Sequence, residues 1–296
     1  MPPQDRRSVY DLVSFAQPPV AEVALTVQFD AETVDIEAFG LFAHELREQF
    51  PVRQRQPVLP AISETFDELA GMPSFNIQFT DPASLPRLWL ISKDGTELVQ
   101  LQHDRLSYNW RRLDENTRYP RYAHLRKRLS RLLEVLSECV DTASRAGDGG
   151  RKPTVNLCEV VYVNPVEFAA GDSPSKEHPD LSRIIARLRP PPKGAFLPNT
   201  EDTQLQARWR IPSSALGRTG GPVGRLHLAV VPALKPPLQT PIYMMNLTAR
   251  VFPASPTQRN VMKALDAGHE YAVLAFTEVT TKEAQQYWGI MEDGSK

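Results

Sequence analysis

The sequence predicts an α+β protein made of two similar halves, each with an antiparallel sheet covered by a long helix. Three observations carry this. Residues 21–29 (AEVALTVQF) and 158–166 (CEVVYVNPV) both place a Glu-Val pair at the start of a strand-like run. Each run opens the same order of elements, namely strand, helix, three strands, helix. Two long apolar stripes at helical spacing, Tyr122 to Val140 and Val261 to Phe276, close the two series.

Residues 1–17 are polar and mixed, and read as an N-terminal arm. Val23, Leu25, Val27 and Phe29 alternate with Glu22, Ala24, Thr26 and Gln28, the period of a half-buried strand. From Asp35 onward, Ile36, Phe39, Phe42, Leu46 and Phe50 recur at helical spacing until Pro51 stops them. A short strand is expected at 52–58. Lys93-Asp94-Gly95 between the apolar runs 88–92 and 96–102 marks a hairpin, since Gly accepts the positive φ of a tight turn. Leu106, Tyr108 and Trp110 give the next strand. Tyr122, Leu125, Leu129, Leu132, Leu136 and Val140 give a helix of about seven turns. Gly147-Asp148-Gly149-Gly150 ends it and sets the boundary, so the halves are 18–146 and 151–296.

In the second half, residues 157–163 are apolar on both faces and predict a central strand. Residues 181–188 read as a short helix ended by Pro190, Pro191 and Pro192. Alternation at 205–211 and 226–230, with the run 242–252, gives three strands. Ser255-Pro256 reads as the N-cap and first residue of the last long helix, with Gly268 as a point of interruption. Thr280-Thr281-Lys282-Glu283 reads as the capping box of a short terminal helix.

Composition narrows the function classes. With 41% hydrophobic and 23% charged residues, the 296-residue chain has apolar material for a large core, which excludes wholesale disorder. A net charge of −1 excludes a global pull toward nucleic acid or anionic membrane, so local clusters must carry any such role. The 27 prolines cluster between elements and suit stiff connections. Cys139 and Cys158 fit neither a CxxC nor a zinc spacing, so two buried thiols are expected, with no metal and no cofactor. No apolar run approaches the ~20 residues of a membrane span and no signal-peptide core opens the chain, so a cytoplasmic location is expected.

Four segments in order carry a resemblance: PPVAEVALTVQF at 18–29, LVQLQHDRLSYNWRR at 98–112, NLCEVVYVN at 156–164 and HEYAVLAFTEVTTKEAQQYWG at 269–289. The chain resembles a sporadically distributed bacterial protein family of unknown function. That resemblance implies a bacterial, soluble, duplicated protein and carries over no reaction. Patchy distribution implies horizontal movement, common among antiphage defence and toxin–antitoxin loci.

No catalytic constellation is complete. His44 and Glu48 share a helix, but the second His of an H-E-x-x-H site is missing. GRTGGPVG at 217–224 lacks the P-loop Lys and leads into a strand. No nucleophile signature is present. The strongest charge feature is Arg105, Arg111, Arg112, Arg118, Arg121, His124, Arg126, Lys127, Arg128 and Arg131, interleaved with Tyr108, Trp110, Tyr119 and Tyr122. Arg121, His124, Arg128 and Arg131 fall on one helical face, and cations in a first turn oppose the helix dipole by about 0.3–1 kcal/mol each. An anionic partner would compensate. The plainer alternative is a solvated face bridged to Asp104, Asp114 and Glu115. A second polar surface comprises Gln204, Gln206, Arg208, Arg210, Arg225 and His227 on neighbouring strands. Glu22 and Glu159, at matching strand positions, are expected to be held by an Arg or a backbone amide, with a catalytic pair as the alternative.

The expectation is therefore a non-catalytic recognition protein whose basic region binds an acidic partner, first of all a protein encoded at the same locus. Nucleic-acid binding through the same residues is the second reading, with steep salt dependence as its mark. An enzyme with a dispersed site between the halves is the third. An oligomer is compatible with each.

Overall fold

In this computed structural model, residues 12–30, 33–66, 85–145, 153–167, 177–189, 192–194, 196–197 and 200–291 are described. The expected Gly147–Gly150 boundary, Pro190, Pro191 and most of the expected arm lie outside them. The elements in chain order are β1 (Ser14–Phe15), β2 (Glu22–Phe29), α1 (Ile36–Glu45), β3 (Val52–Gln56), β4 (Arg87–Ile91), β5 (Glu97–Gln102), β6 (Arg105–Arg111) and α2 (Tyr122–Arg145). They continue with β7 (Val155–Val166), β8 (Leu205–Ile211), β9 (Gly224–Lys235), β10 (Thr240–Val251), α3 (Gln258–Val279), α4 (Lys282–Tyr287) and β11 (Ile290–Met291).

Period-2 alternation sorts the strands onto one sheet with two unlike faces. Val23, Leu25, Val27 and Phe29 of β2 are buried against the helices, as are Leu106, Tyr108 and Trp110 of β6. Their alternates Thr26, Gln28, Arg105, Ser107 and Asn109 line the opposite face. The strand order is β3-β4-β5-β6-β2-β7-β10-β9-β8, with every pair antiparallel. The expected separate sheets are thus joined: β2 pairs with β7, with Glu22 opposite Val163 and Leu25 opposite Val160. The physical reason is that each half would otherwise leave an apolar strand with unpaired backbone groups at its edge, and pairing the two edges satisfies both. In each half the first strand (β2, β7) lies beside the last (β6, β10), and the remaining strands run outward.

The helices cover one face. Leu125, Leu129, Leu132 and Leu136 of α2 form the buried stripe, packed on α1 and β6. Asp35 caps α1 by accepting from the Ala38 amide. The helix α3 lies on β7 and β10 and runs through Gly268 without interruption; there a β-carbon would come within 3.1 Å of the Val160 side chain.

Several boundaries differ from the sequence expectation. The end of the supposed arm is structural: Ser14 and Phe15 pair with Met291 and Ile290, and Phe15 packs edge-on against Phe276 and Trp288. A two-residue strand offers no alternation to read. The first half carries four strands after α1, because 52–56 joins the sheet. The expected helix at 181–188 is one 3₁₀ turn, Leu181–Arg183, because the Ala186 amide bonds to the Val279 carbonyl instead of continuing a helix. The N-cap of α3 is Thr257, not Ser255, and that of α4 is Thr281, one residue later than expected. Gly224, the last residue of the glycine-rich stretch, begins β9 so close to β10 that a β-carbon would lie 2.2 Å from the Arg250 carbonyl oxygen. Gly224→Ala is expected to cost about 3 kcal/mol in urea unfolding, since backbone rather than a flexible side chain must give way.

Candidate functional site

The basic run does not form one surface. Arg105 and Arg111 belong to the sheet face opposite the helices, whereas Arg121, His124, Arg128 and Arg131 stand on α2 or its start. Arg105 is buried and clamps Asp104 with Nε and Nη2, both at 3.0 Å. Arg111 donates to the Gly95 carbonyl, Arg112 to that of Pro18 and Arg121 to that of Phe15. Arg126 holds Asp266 through two bonds of 2.6 and 3.0 Å. Arg128 bonds to Glu97 at 2.9 Å, with His124 3.9 Å from the same carboxylate, and Arg131 bonds to Glu134. Asp114 is spent on the amides of Asn116 and Thr117 rather than on an arginine. The counter-charge for the start of α2 therefore comes from within the chain. Arg118 and Lys127 are exposed and have no partner among the described residues.

The second predicted surface does share one face: Arg208 is the cross-strand neighbour of His227, and Arg210 of Arg225. A strap, residues 57–66, crosses that face. Gln102 both accepts from the Leu59 amide and donates to the Leu59 carbonyl, at 2.8 Å each. Gln28 grips Ile62 the same way, at 2.6 and 2.9 Å. Glu64, its side chain 4% exposed, then meets Arg225 at 2.9 Å, His227 at 2.8 Å and Arg250 at 3.4 Å. Arg225 and Arg210 also donate to the Thr65 and Phe66 carbonyls. Of the set, Gln204, Gln206 and Arg208 are exposed without a partner among the described residues. Burial lowers the His227 pKa despite Glu64, so the neutral ring donates Nε2–H to that carboxylate. Glu159 accepts from Arg250 Nε at 2.8 Å and Glu22 from Asn109 Nδ2 at 2.7 Å, each within its own half.

The best-formed recess lies elsewhere. A cavity of about 390 Å³ sits on the helix side, between the start of α2, the middle of α3, β7 and residues 12–20. Val13, Phe15, Val20, Leu247, Val273 and Phe276 make its walls mainly apolar. Its polar groups come from both halves. Tyr119 and Tyr122 are contributed by the first, Tyr162, Asn164 and His269 by the second. Tyr162 Oη lies 2.8 Å from His269 Nδ1 and 3.3 Å from Tyr119 Oη. The Tyr122 ring stacks on His269 at 3.8 Å, and its hydroxyl donates to Asp266. Arg121 lies at the mouth, bordering both this cavity and a wide surface cleft. It is the single predicted site residue that lines the cavity.

Electrostatics limit the chemistry available. Burial depresses the His269 pKa to about 3 and raises that of Tyr119 to about 12; Tyr122 and Tyr162 are raised further. An acid–base catalyst works best with a pKa near the working pH, and these four groups are far from it. Both thiols are pushed up by burial, Cys139 to about 11, away from the thiolate form that attacks. Among the described residues, no group of three His, Cys, Asp or Glu side chains converges as metal ligands. No described helix is long and apolar enough to cross a membrane.

The missed residues had a signal. Tyr162 and His269 interrupt apolar patterns at core positions, and a buried polar atom needs a partner. Comparison with protein-family models and with curated proteins finds no match.

Proposed function

We propose that the protein is a non-catalytic receptor for a small, mainly apolar molecule held in the cavity where the two halves meet. The observation that carries the reading is the cavity itself. Its volume of about 390 Å³ lies within the ~300–1,000 Å³ of small-molecule sites, and it combines apolar walls with a few converging polar groups. The titration states of its tyrosines and histidine favour binding over acid–base chemistry. Of the predicted basic residues, Arg118, Lys127 and Arg208 are the ones without a partner among the described residues to meet an acidic protein or a nucleic-acid backbone, and they are spread over both sides of the sheet. That is a weaker basis.

We read the halves as copies of one ancestral unit. Support comes from their connectivity: a central strand pairs with the last strand of its half, and a long helix follows. The order of the four sequence segments supports placing the chain in the sporadically distributed bacterial family.

The test uses N-phenyl-1-naphthylamine, an uncharged probe that fluoresces in apolar surroundings. Saturable one-site binding is expected for the wild type. Val273→Trp, which fills the cavity from a partly buried wall position, should abolish it while leaving the thermal melt unchanged. A wild-type protein that shows no saturable signal would refute the reading.

A further inference from the structure

Three protons and two contacts define the polar lining of the cavity. Tyr119, Tyr162 and neutral His269 each carry one exchangeable proton. They are linked by two hydrogen bonds only, Tyr119 Oη to Tyr162 Oη and Tyr162 Oη to His269 Nδ1. Each bond uses one proton, so one is left over however the chain is arranged. With the proton on His269 Nε2, both hydroxyls point toward the histidine and Nε2–H is the surplus donor. With the proton on Nδ1, both hydroxyls turn the other way and Tyr119 O–H is the surplus donor. Among the described residues nothing accepts from either end. His269 is only 8% exposed as a residue, yet its Nε2 is not fully buried, so this end of the chain can meet a ligand.

Neither side reaction removes the imbalance. Tyr122, the other hydroxyl against the ring, is committed to Asp266. Asn164 Nδ2 is committed to the Met245 and Tyr162 carbonyls. The walls are mainly apolar, so a water at either end of the chain would bond chiefly to the chain itself.

Building on the receptor reading above, we infer that the ligand is an apolar molecule bearing one hydrogen-bond acceptor, such as a ketone, ester or aromatic carbonyl compound, whose oxygen takes the surplus proton of the Tyr119–Tyr162–His269 chain. The tautomer of His269 lets the site offer that donor at either end. An acceptor takes up the surplus proton, whereas a donor-only ligand can bond to the lone pair at the other end of the chain but leaves that proton unmet.

A matched pair of probes tests this. 2-Acetylnaphthalene and 2-isopropenylnaphthalene have nearly the same shape and differ in C=O against C=CH₂. Displacement of N-phenyl-1-naphthylamine should show the ketone binding about tenfold tighter. In Tyr162→Phe the chain is cut, each end keeps its own proton, and the preference should change by several-fold while Val166→Ala, remote from the chain and outside the cavity lining, leaves it unaltered. Equal affinities for the two probes, with the fluorophore still bound, would overturn the acceptor requirement and leave the receptor reading standing. Failure of all three probes to bind would overturn both.

Discussion

Glu64→Ala should destabilise the protein by about 3 kcal/mol, a large part of the ~5–15 kcal/mol that holds a domain together. Glu64 is buried among Arg225, His227 and Arg250. Removing it leaves two guanidiniums side by side with Glu159 as their nearest remaining counter-charge. Breaking a buried pair costs about 3–5 kcal/mol, mostly because the surviving charge is stranded. The lower end applies here, since Arg250 and His227 keep about a quarter of their side-chain surface in water. The same change should free the strap. Exchange of the Ile62 amide, bonded to Gln28 Oε1, should accelerate more than exchange in the central strands. A urea midpoint within experimental error of the wild type would show that Glu64 does not anchor the strap.

Stability should fall as pH drops from about 6.5 to 4.5, and His269 should account for most of the fall. Its folded pKa of about 3 lies below the ~6.5 of an unfolded histidine. Above pH 6.5 both states are neutral and stability is at its full value. Below it the unfolded chain takes up a proton that the folded chain refuses, so about 1.4 kcal/mol is lost per pH unit, or about 3 kcal/mol over the window. The lowered pKa of His227 acts in the same direction. Asp94, Asp114 and Glu134 have lowered pKa values and lose their contribution only below about pH 4.5, so they do not confuse the window. His269→Phe should flatten the slope measured by urea unfolding at pH 7.0, 6.0 and 5.0. An unchanged slope in that variant would place the proton uptake elsewhere.

Much of the fold is legible in the residues because burial imposes period. The alternation of β2 and β8, the two-sided apolar run of β7 and the leucine stripe of α2 each name their own element. What periodicity cannot name is the neighbour. Nothing in either segment says that Leu25 pairs with Val160, so the single nine-stranded sheet is not readable from local pattern. The arginine run misled for the same reason. A string of cations is visible locally, while Asp266, which neutralises Arg126, lies 140 positions away. The strap reads as a proline-broken loop because its backbone is bonded by the side chains of Gln28 and Gln102 and follows no regular ladder. Glu159 was conspicuous as a carboxylate in a central strand, whereas Glu64, which gathers two arginines and a histidine, was hidden in that loop. The cavity needed four elements at once, and only the polar interruptions Tyr162 and His269 hinted at it.

The receptor reading stands on where a small apolar molecule goes. Solution NMR with bound N-phenyl-1-naphthylamine tests this most directly, through intermolecular NOEs to the methyl groups of Val13, Leu247 and Val273. Contacts to all three, lost in Val273→Trp, are the expected result. A bound probe whose contacts lie only with methyl groups outside the cavity would contradict the account.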